Sequence, residues 1–375
     1  MPQASNTRIH DAQATKVEPC TPEQFDLEAY MDYEQQRHEK CKIFWQTESG
    51  VLVYRRMRVK EVFASGCQNM EESLAWQLGG LQKSLKYKSD IPNFLEPWYG
   101  IGTIASAFGI DYIWPENQAP TIDGPFNNCI EALEYVPTPV ENTRIGQHTL
   151  NMIDYFLDKN KGKIPLSLAD SQSPFNIAGH IVDTTNLMVD ILTHPVEVKK
   201  LLNRIAGLAI DFSDKQLDLL ENSVVWPGHG FPSSRYFKGM GMSDDNMLMI
   251  SGDQYLDICA DSVIKYGKPF HGTAFHSCGD WSNRLNSIRQ IENLKMVDGA
   301  FSEETDPKPN PAEEFKILAN SGIVLNARIV GSADTVAKKV KELWTPGLKL
   351  IVTTYCQTPK EQTEAYDRIH EICES

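Results

Sequence analysis

A chain of 375 residues, 41% of them hydrophobic, carries enough apolar material for one large α/β domain or two small ones. Its formal net charge of −14 leaves no basic stripe to displace counterions from a phosphate backbone, so nucleic acid is excluded as the main partner. No run approaches the roughly 18 apolar residues of a membrane span, and Met1 to Glu18 is polar where a signal peptide needs an apolar core. The expectation is a soluble, cytoplasmic protein. Its eight cysteines are scattered, as core fillers or ligands are in a reducing compartment.

In chain order, residues 1–25 lack a sustained apolar period and read as a flexible arm, with a single domain over 26–375. Pro22 to Val62 reads as helical, starting at an N-cap-like Thr21-Pro22-Glu23-Gln24. Eight apolar runs follow as candidate strands, at 93–96, 164–169, 224–226, 239–242, 272–276, 298–302, 323–327 and 350–354. Amphipathic segments lie between most of them: 185–192, 195–221, 254–266, 281–290, 311–320 and 333–344. Repeated strand-helix units with buried, non-alternating strands produce a parallel sheet, and eight of them predict a (β/α)8 TIM barrel with an N-terminal helical extension. A doubly wound open sheet is the competing architecture.

In such a barrel the residues that end strands gather at one face. Asp170, His229, Asp244, Asp245, His276, Cys278, Glu303, Glu304 and Cys356 all occupy such positions. His276-Ser277-Cys278-Gly279-Asp280 and the later Thr353-Thr354-Tyr355-Cys356 form a zinc pattern, because an imidazole and two thiols at strand ends can converge on one ion. Only one of the neighbours Asp244 and Asp245 can face the cavity. His229, in Trp226-Pro227-Gly228-His229-Gly230, is a candidate substrate or cofactor contact, and Asp280 a candidate hydrogen-bond partner around the metal. The aromatic residues Trp98, Tyr99 and Trp114 read first as core and second as a cavity lining.

From about Ile91 to the C-terminus the chain resembles the uroporphyrinogen decarboxylase superfamily. The resemblance is carried by Ser171-Gln172-Ser173-Pro174-Phe175-Asn176-Ile177-Ala178, Thr193-His194-Pro195-Val196-Glu197, Asp244-Asp245 and His276-Ser277-Cys278-Gly279-Asp280. It lacks the Arg-Gln-Ala-Gly-Arg-Tyr element of the decarboxylases; Tyr54-Arg55-Arg56-Met57-Arg58 is the nearest basic cluster. The separation of Cys278 and Cys356, 78 positions, is similar to that in methylcobamide:coenzyme M methyltransferases. The resemblance therefore implies zinc held by His276, Cys278 and Cys356. Asp298 to Glu303 looks like the setting of the zinc glutamate in cobalamin-independent methionine synthase, which makes Glu303 the candidate fourth ligand, displaced when substrate binds.

The implied activity is methyl transfer from a methyl-corrinoid to a zinc-bound thiolate, with Asp244 and Glu303 in catalytic roles and His229 and Asp245 toward the cofactor. No Asp-x-His-x-x-Gly element is present to bind cobalamin, so the corrinoid is expected on a small partner protein. A homodimer is compatible with the sequence. The alternatives are a methyltransferase that demethylates a methoxylated aromatic or methylamine onto a corrinoid protein, a uroporphyrinogen-type decarboxylase, and a non-catalytic barrel that binds a corrinoid or tetrapyrrole.

Overall fold

The computed structural model describes residues 12–64, 68–97, 101–115, 120–122, 124 and 126–374. Trp98, Tyr99 and Cys67 lie outside these. A six-stranded parallel sheet forms the centre, from β1 (Gly50–Arg55), β4 (Met240–Ser243), β5 (Thr273–His276), β6 (Leu294–Ala300), β7 (Val324–Ile329) and β8 (Lys349–Thr354), in the spatial order β1-β8-β7-β6-β5-β4. A second parallel pair joins β2 (Leu166–Ser167) to β3 (Val224–Val225). Hydrogen bonding continues past both edges of the larger sheet. At one edge Gln172 bridges Ser243; at the other Asp90 N–H donates to the Val53 carbonyl at 2.8 Å, and Leu95 bridges Leu166.

The strands are short and buried on both sides, as the continuous apolar text of Lys349–Thr354 requires. Helices cover them. The longest, Pro195–Leu220, starts on a proline and buries Val198, Leu201, Leu202, Ile205, Ala206 and Ala209, one face at helical spacing. Helix 184–193 is capped by Asp183 and helix 252–258 by a reciprocal Ser251/Gln254 box.

Several boundaries differ from the sequence reading. The helical text of 22–62 divides: the helix is Leu27–Gln46, capped by Asp26, and Gly50–Arg55 is β1, because Gly-Val-Leu-Val-Tyr is β-branched and aromatic text that buries fully. The 93–96 run contributes only a bridge at Leu95. The segment 254–266 is two helices, Gly252–Ile258 and Ala260–Gly267, and 311–320 tightens into a 3-10 turn over Ala312–Leu318. Residues 12–25, where an arm was expected, run along the domain: Gln13 and Thr15 are buried, Thr15 N–H donates to the Arg58 carbonyl at 2.8 Å, and Cys20 N–H to that of Ala75 at 2.9 Å. No helix among the described residues is long and apolar enough to cross a membrane.

Asp90 ties the first and last helices to β1. It is 2% exposed and accepts from Val53 N–H at 2.8 Å, Tyr366 Oη at 2.5 Å, Lys40 Nζ at 2.7 Å and His370 Nε2 at 2.9 Å. Burial alone would raise its pKa, but the bonds from His370 and Lys40, the Lys40 charge and the Tyr366 bond outweigh it, so the carboxyl titrates below its ordinary value. A lowered pKa contributes stability that is complete above the unfolded range near about 3.9 and is lost as pH falls through the folded value. Asp90→Ala should therefore cost about 3 kcal/mol at neutral pH in denaturant unfolding. Asp90→Asn should flatten the acid limb of the stability profile, and an unchanged limb would refute this account.

Candidate metal centre and its cavity

The site begins with a row of polar residues in otherwise apolar strands. In register, His276 of β5 lies opposite Asp298 of β6, and Asp298 opposite Asn326 of β7. Asp298 is 2% exposed, and its two oxygens are shared. Oδ1 meets His276 Nδ1 at 2.5 Å and accepts from Arg328 Nε at 2.8 Å; Oδ2 accepts from the Asn326 amide, whose own oxygen accepts from Thr353 Oγ1 at 2.7 Å. Burial would raise the Asp298 pKa, yet Arg328 and His276 override it and hold the carboxyl below its usual range. For His276 burial pushes the pKa down, and the Asp298 charge overturns it, to about 10. With Nδ1–H directed at Asp298, Nε2 is the atom left to face the cavity.

Nε2 of His276 lies 3.5 Å from Cys278 Sγ. Metal–nitrogen and metal–sulfur bonds of zinc length, at a tetrahedral angle, would separate the two donors by about 3.5 Å. Asp245 completes the group: one donor atom from each of Asp245, His276 and Cys278 lies within 4.8 Å of the others. The Cys278 N–H donates to Asp245 Oδ1 at 2.7 Å and orients the carboxylate. A carboxylate, an imidazole and a thiol at this spacing fit a zinc-like ion and leave room for a fourth ligand. The loop that carries Cys278 is itself held, by Asp306 accepting from Gly279 N–H at 2.9 Å and Asn310 from Trp281 N–H at 3.0 Å.

These residues line a cavity of about 480 Å³. Its remaining wall includes Arg56, Arg58, Asp170, Gln172, His229, Asp306 and Arg328. Glu96 organises one side: its Oε1 accepts from Gly230 N–H at 3.2 Å and lies 3.5 Å from His229 Nδ1 and 3.7 Å from Arg56. Burial raises its pKa less than His229, Arg56 and the Gly230 amide lower it, so Glu96 is held ionised. Asp170 is raised, by burial first.

Residues 51–222 match the model of the family described as uroporphyrinogen decarboxylase (URO-D). That span holds Arg56, Arg58, Glu96, Asp170 and Gln172 of the cavity wall, whereas Asp245, His276, Cys278, Asp298 and Arg328 lie beyond it. No curated protein matches the chain. Among solved structures, a methyltransferase from Methanosarcina mazei is similar over 99% of each chain, with 14% identity and a TM-score of 0.59. At that identity the likeness is one of fold.

The residues singled out in the sequence divide in space. His276, Cys278 and Asp245 come together, and His229 lines the same cavity. Asp244 points the other way: it is fully buried, and its Oδ2 accepts from Ser173 Oγ at 2.5 Å and Tyr255 Oη at 2.7 Å. Burial pushes its carboxyl up to about 7, against the pull of those two bonds. Cys356 lies two residues past β8 and is 2% exposed; its carbonyl accepts from Arg55 Nε at 2.8 Å, burial pushes its thiol up to about 12, and its sulfur is not part of the Asp245–His276–Cys278 group. Glu303 and Glu304 are exposed in a turn after β6. Asp280 caps its own turn, accepting from Ser282 N–H at 3.0 Å and Ser282 Oγ at 2.7 Å, and does not reach His276.

Sequence reasoning missed Asp298, Asn326 and Arg328. The available signal was Asp298 inside Leu-Lys-Met-Val-Asp-Gly-Ala and the pair Asn326 and Arg328 inside Val-Leu-Asn-Ala-Arg-Ile, text too apolar to hold them unpaired. Asp298→Asn should weaken metal binding by about 10- to 100-fold in a competition titration with a chromophoric chelator, while thermal unfolding stays cooperative. An unchanged affinity would show that His276 needs no anchor.

Proposed function

We propose that this chain is a metal-dependent methyltransferase built on the (β/α)8 barrel of the uroporphyrinogen decarboxylase superfamily. In this reading a substrate thiol enters the cavity and accepts a methyl group from a corrinoid carried by a separate small protein. The observation that carries it is the convergence of Asp245, His276 and Cys278 on one point of a cavity large enough for a small substrate. Zinc, bound there, would hold the substrate sulfur as thiolate near neutral pH, where a free thiol is mostly protonated. Asp298 keeps His276 Nε2 directed at the ion position, where a bound metal would take the place of its proton, and the Cys278 amide keeps Asp245 in place. The fold likeness to a methyltransferase supports the same reading.

Cys356 and Glu303 stay in the proposal as ligands recruited when metal or substrate binds. Recruiting Cys356 requires its side chain to leave a buried position, and recruiting Glu303 requires its turn to fold inward. A second reading, decarboxylation of a carboxylated tetrapyrrole, is favoured by one observation: Arg56 and Arg58 both line the cavity, where they can meet substrate carboxylates.

Metal content separates these readings. Wild-type protein purified with zinc should hold about one ion per chain. His276→Ala and Cys278→Ser should lose it with their circular dichroism intact, and Asp245→Asn should weaken it. Cys356→Ser keeps the ion if the three grouped residues suffice and loses it if this second thiol is recruited as a fourth ligand. The wild type should then demethylate methylcobalamin only with a thiol present. A zinc-free wild type that still processes a porphyrinogen would establish the decarboxylase reading instead.

A further inference from the structure

Three arginines line the cavity, and their surroundings differ. Arg56 faces the Glu96 carboxylate at 3.7 Å. Arg58 donates to Gln13 at 3.4 Å and lies over the Phe63 ring at 5.0 Å. Arg328 is held from behind. A guanidinium has five N–H donors, and among the described residues that of Arg328 makes one hydrogen bond, from Nε to Asp298, so its two terminal nitrogens carry none. The side chain is 11% exposed and lines the cavity. Rotation is restrained, because Nε is fixed on a carboxylate that His276 and Asn326 also fix.

The same oxygen of Asp298 receives both Arg328 Nε and His276 Nδ1. Arg328 and His276 thus hang on one carboxylate and line the same cavity as Cys278. Two parallel N–H donors on a rigid plane pair with two oxygens of an oxyanion, and a carboxylate, far more basic than a sulfonate, is the stronger acceptor.

We propose that Arg328 is the specificity-determining residue of this cavity: it binds a carboxylate on the same small molecule whose thiol reaches Asp245, His276 and Cys278. The substrate class is a short thiol acid, with its carboxylate two or three carbons from sulfur. The inference rests on the metal-thiolate reading above and narrows it.

The test is calorimetric titration of the zinc-loaded full chain with 3-mercaptopropionate, 2-mercaptoethanesulfonate and 1-propanethiol, with propionate as a probe that lacks sulfur. The wild type should bind 3-mercaptopropionate at least about tenfold more tightly than 1-propanethiol, with the sulfonate weaker than the carboxylate. Arg328→Gln, compared at saturating zinc because Arg328 also bonds the carboxylate that anchors His276, should bring the acid and the neutral thiol to near parity. Arg328→Lys keeps the charge without the planar fork; it should retain fold and zinc and lose most of the preference for carboxylate over sulfonate. Parity in the wild type, or a preference that survives Arg328→Gln, overturns the assignment. A sulfonate bound as tightly as the carboxylate overturns the substrate class. Failure of the underlying reading looks different: in cobalt-substituted protein no thiol would give a thiolate-to-metal absorption band, and Arg328 would then be judged on whether Arg328→Gln abolishes propionate binding.

Discussion

One buried carboxylate, that of Asp298, holds the centre of this molecule together. An unpaired charge inside a parallel sheet is among the most expensive features a fold can carry. Here the cost is offset by distributing its two oxygens over His276 of β5 and Asn326 and Arg328 of β7, with Thr353 of β8 bracing Asn326 in turn. Four adjacent strands are thus locked in register by polar contacts on one level, at the end of the sheet where the cavity opens. The imidazole of His276 and the guanidinium of Arg328 take their directions from it.

A second carboxylate works out of sight. Asp244 lies on the far side of the strand end from Asp245 and gathers Ser173, the cap of helix 174–181, and Tyr255, in helix 252–258. Ser173 Oγ also accepts from Asn176 N–H at 3.0 Å, so one hydroxyl closes a helix and anchors the strand end. The Asp244 backbone N–H donates to the His276 carbonyl at 2.8 Å, which keeps the β4 and β5 ends in step. Two consecutive aspartates thereby divide their labour: one fixes the scaffold and the other faces the cavity.

The sequence carried much of the sheet and part of the centre. Seven apolar runs fall on or overlap parallel strands because short, fully buried strands have no polar alternation to disguise them. β1 was hidden by its flanks: Gly50 to Arg55 sits between a charged helix and an arginine cluster, so local composition read as helix. His276 and Cys278 were legible as a pair because the ends of parallel strands are where ligands gather, whereas Asp245 read as a cofactor contact and not as a neighbour of that pair. Asp298, Asn326 and Arg328 were not, for their partnership exists only in the cross-strand register, which no spacing along the chain encodes. Likewise the order of residues in Tyr355-Cys356 does not say which side chain faces inward; that depends on how β8 pairs with β1 and β7.

The segment 12–15 gives the cavity an unexpected wall. Ala14 bridges Arg58 just past β1, and Gln13 lines the cavity, donating to the Thr305 carbonyl at 3.4 Å on the opposite rim. Thr15 accepts from the buried Arg55 at 3.1 Å, the same arginine that holds the Cys356 carbonyl. The segment 12–15 is therefore part of the cavity rim. Trimming it, or fusing a bulky tag close to Gln13, would remodel that rim and remove a contact of the buried Arg55 behind it.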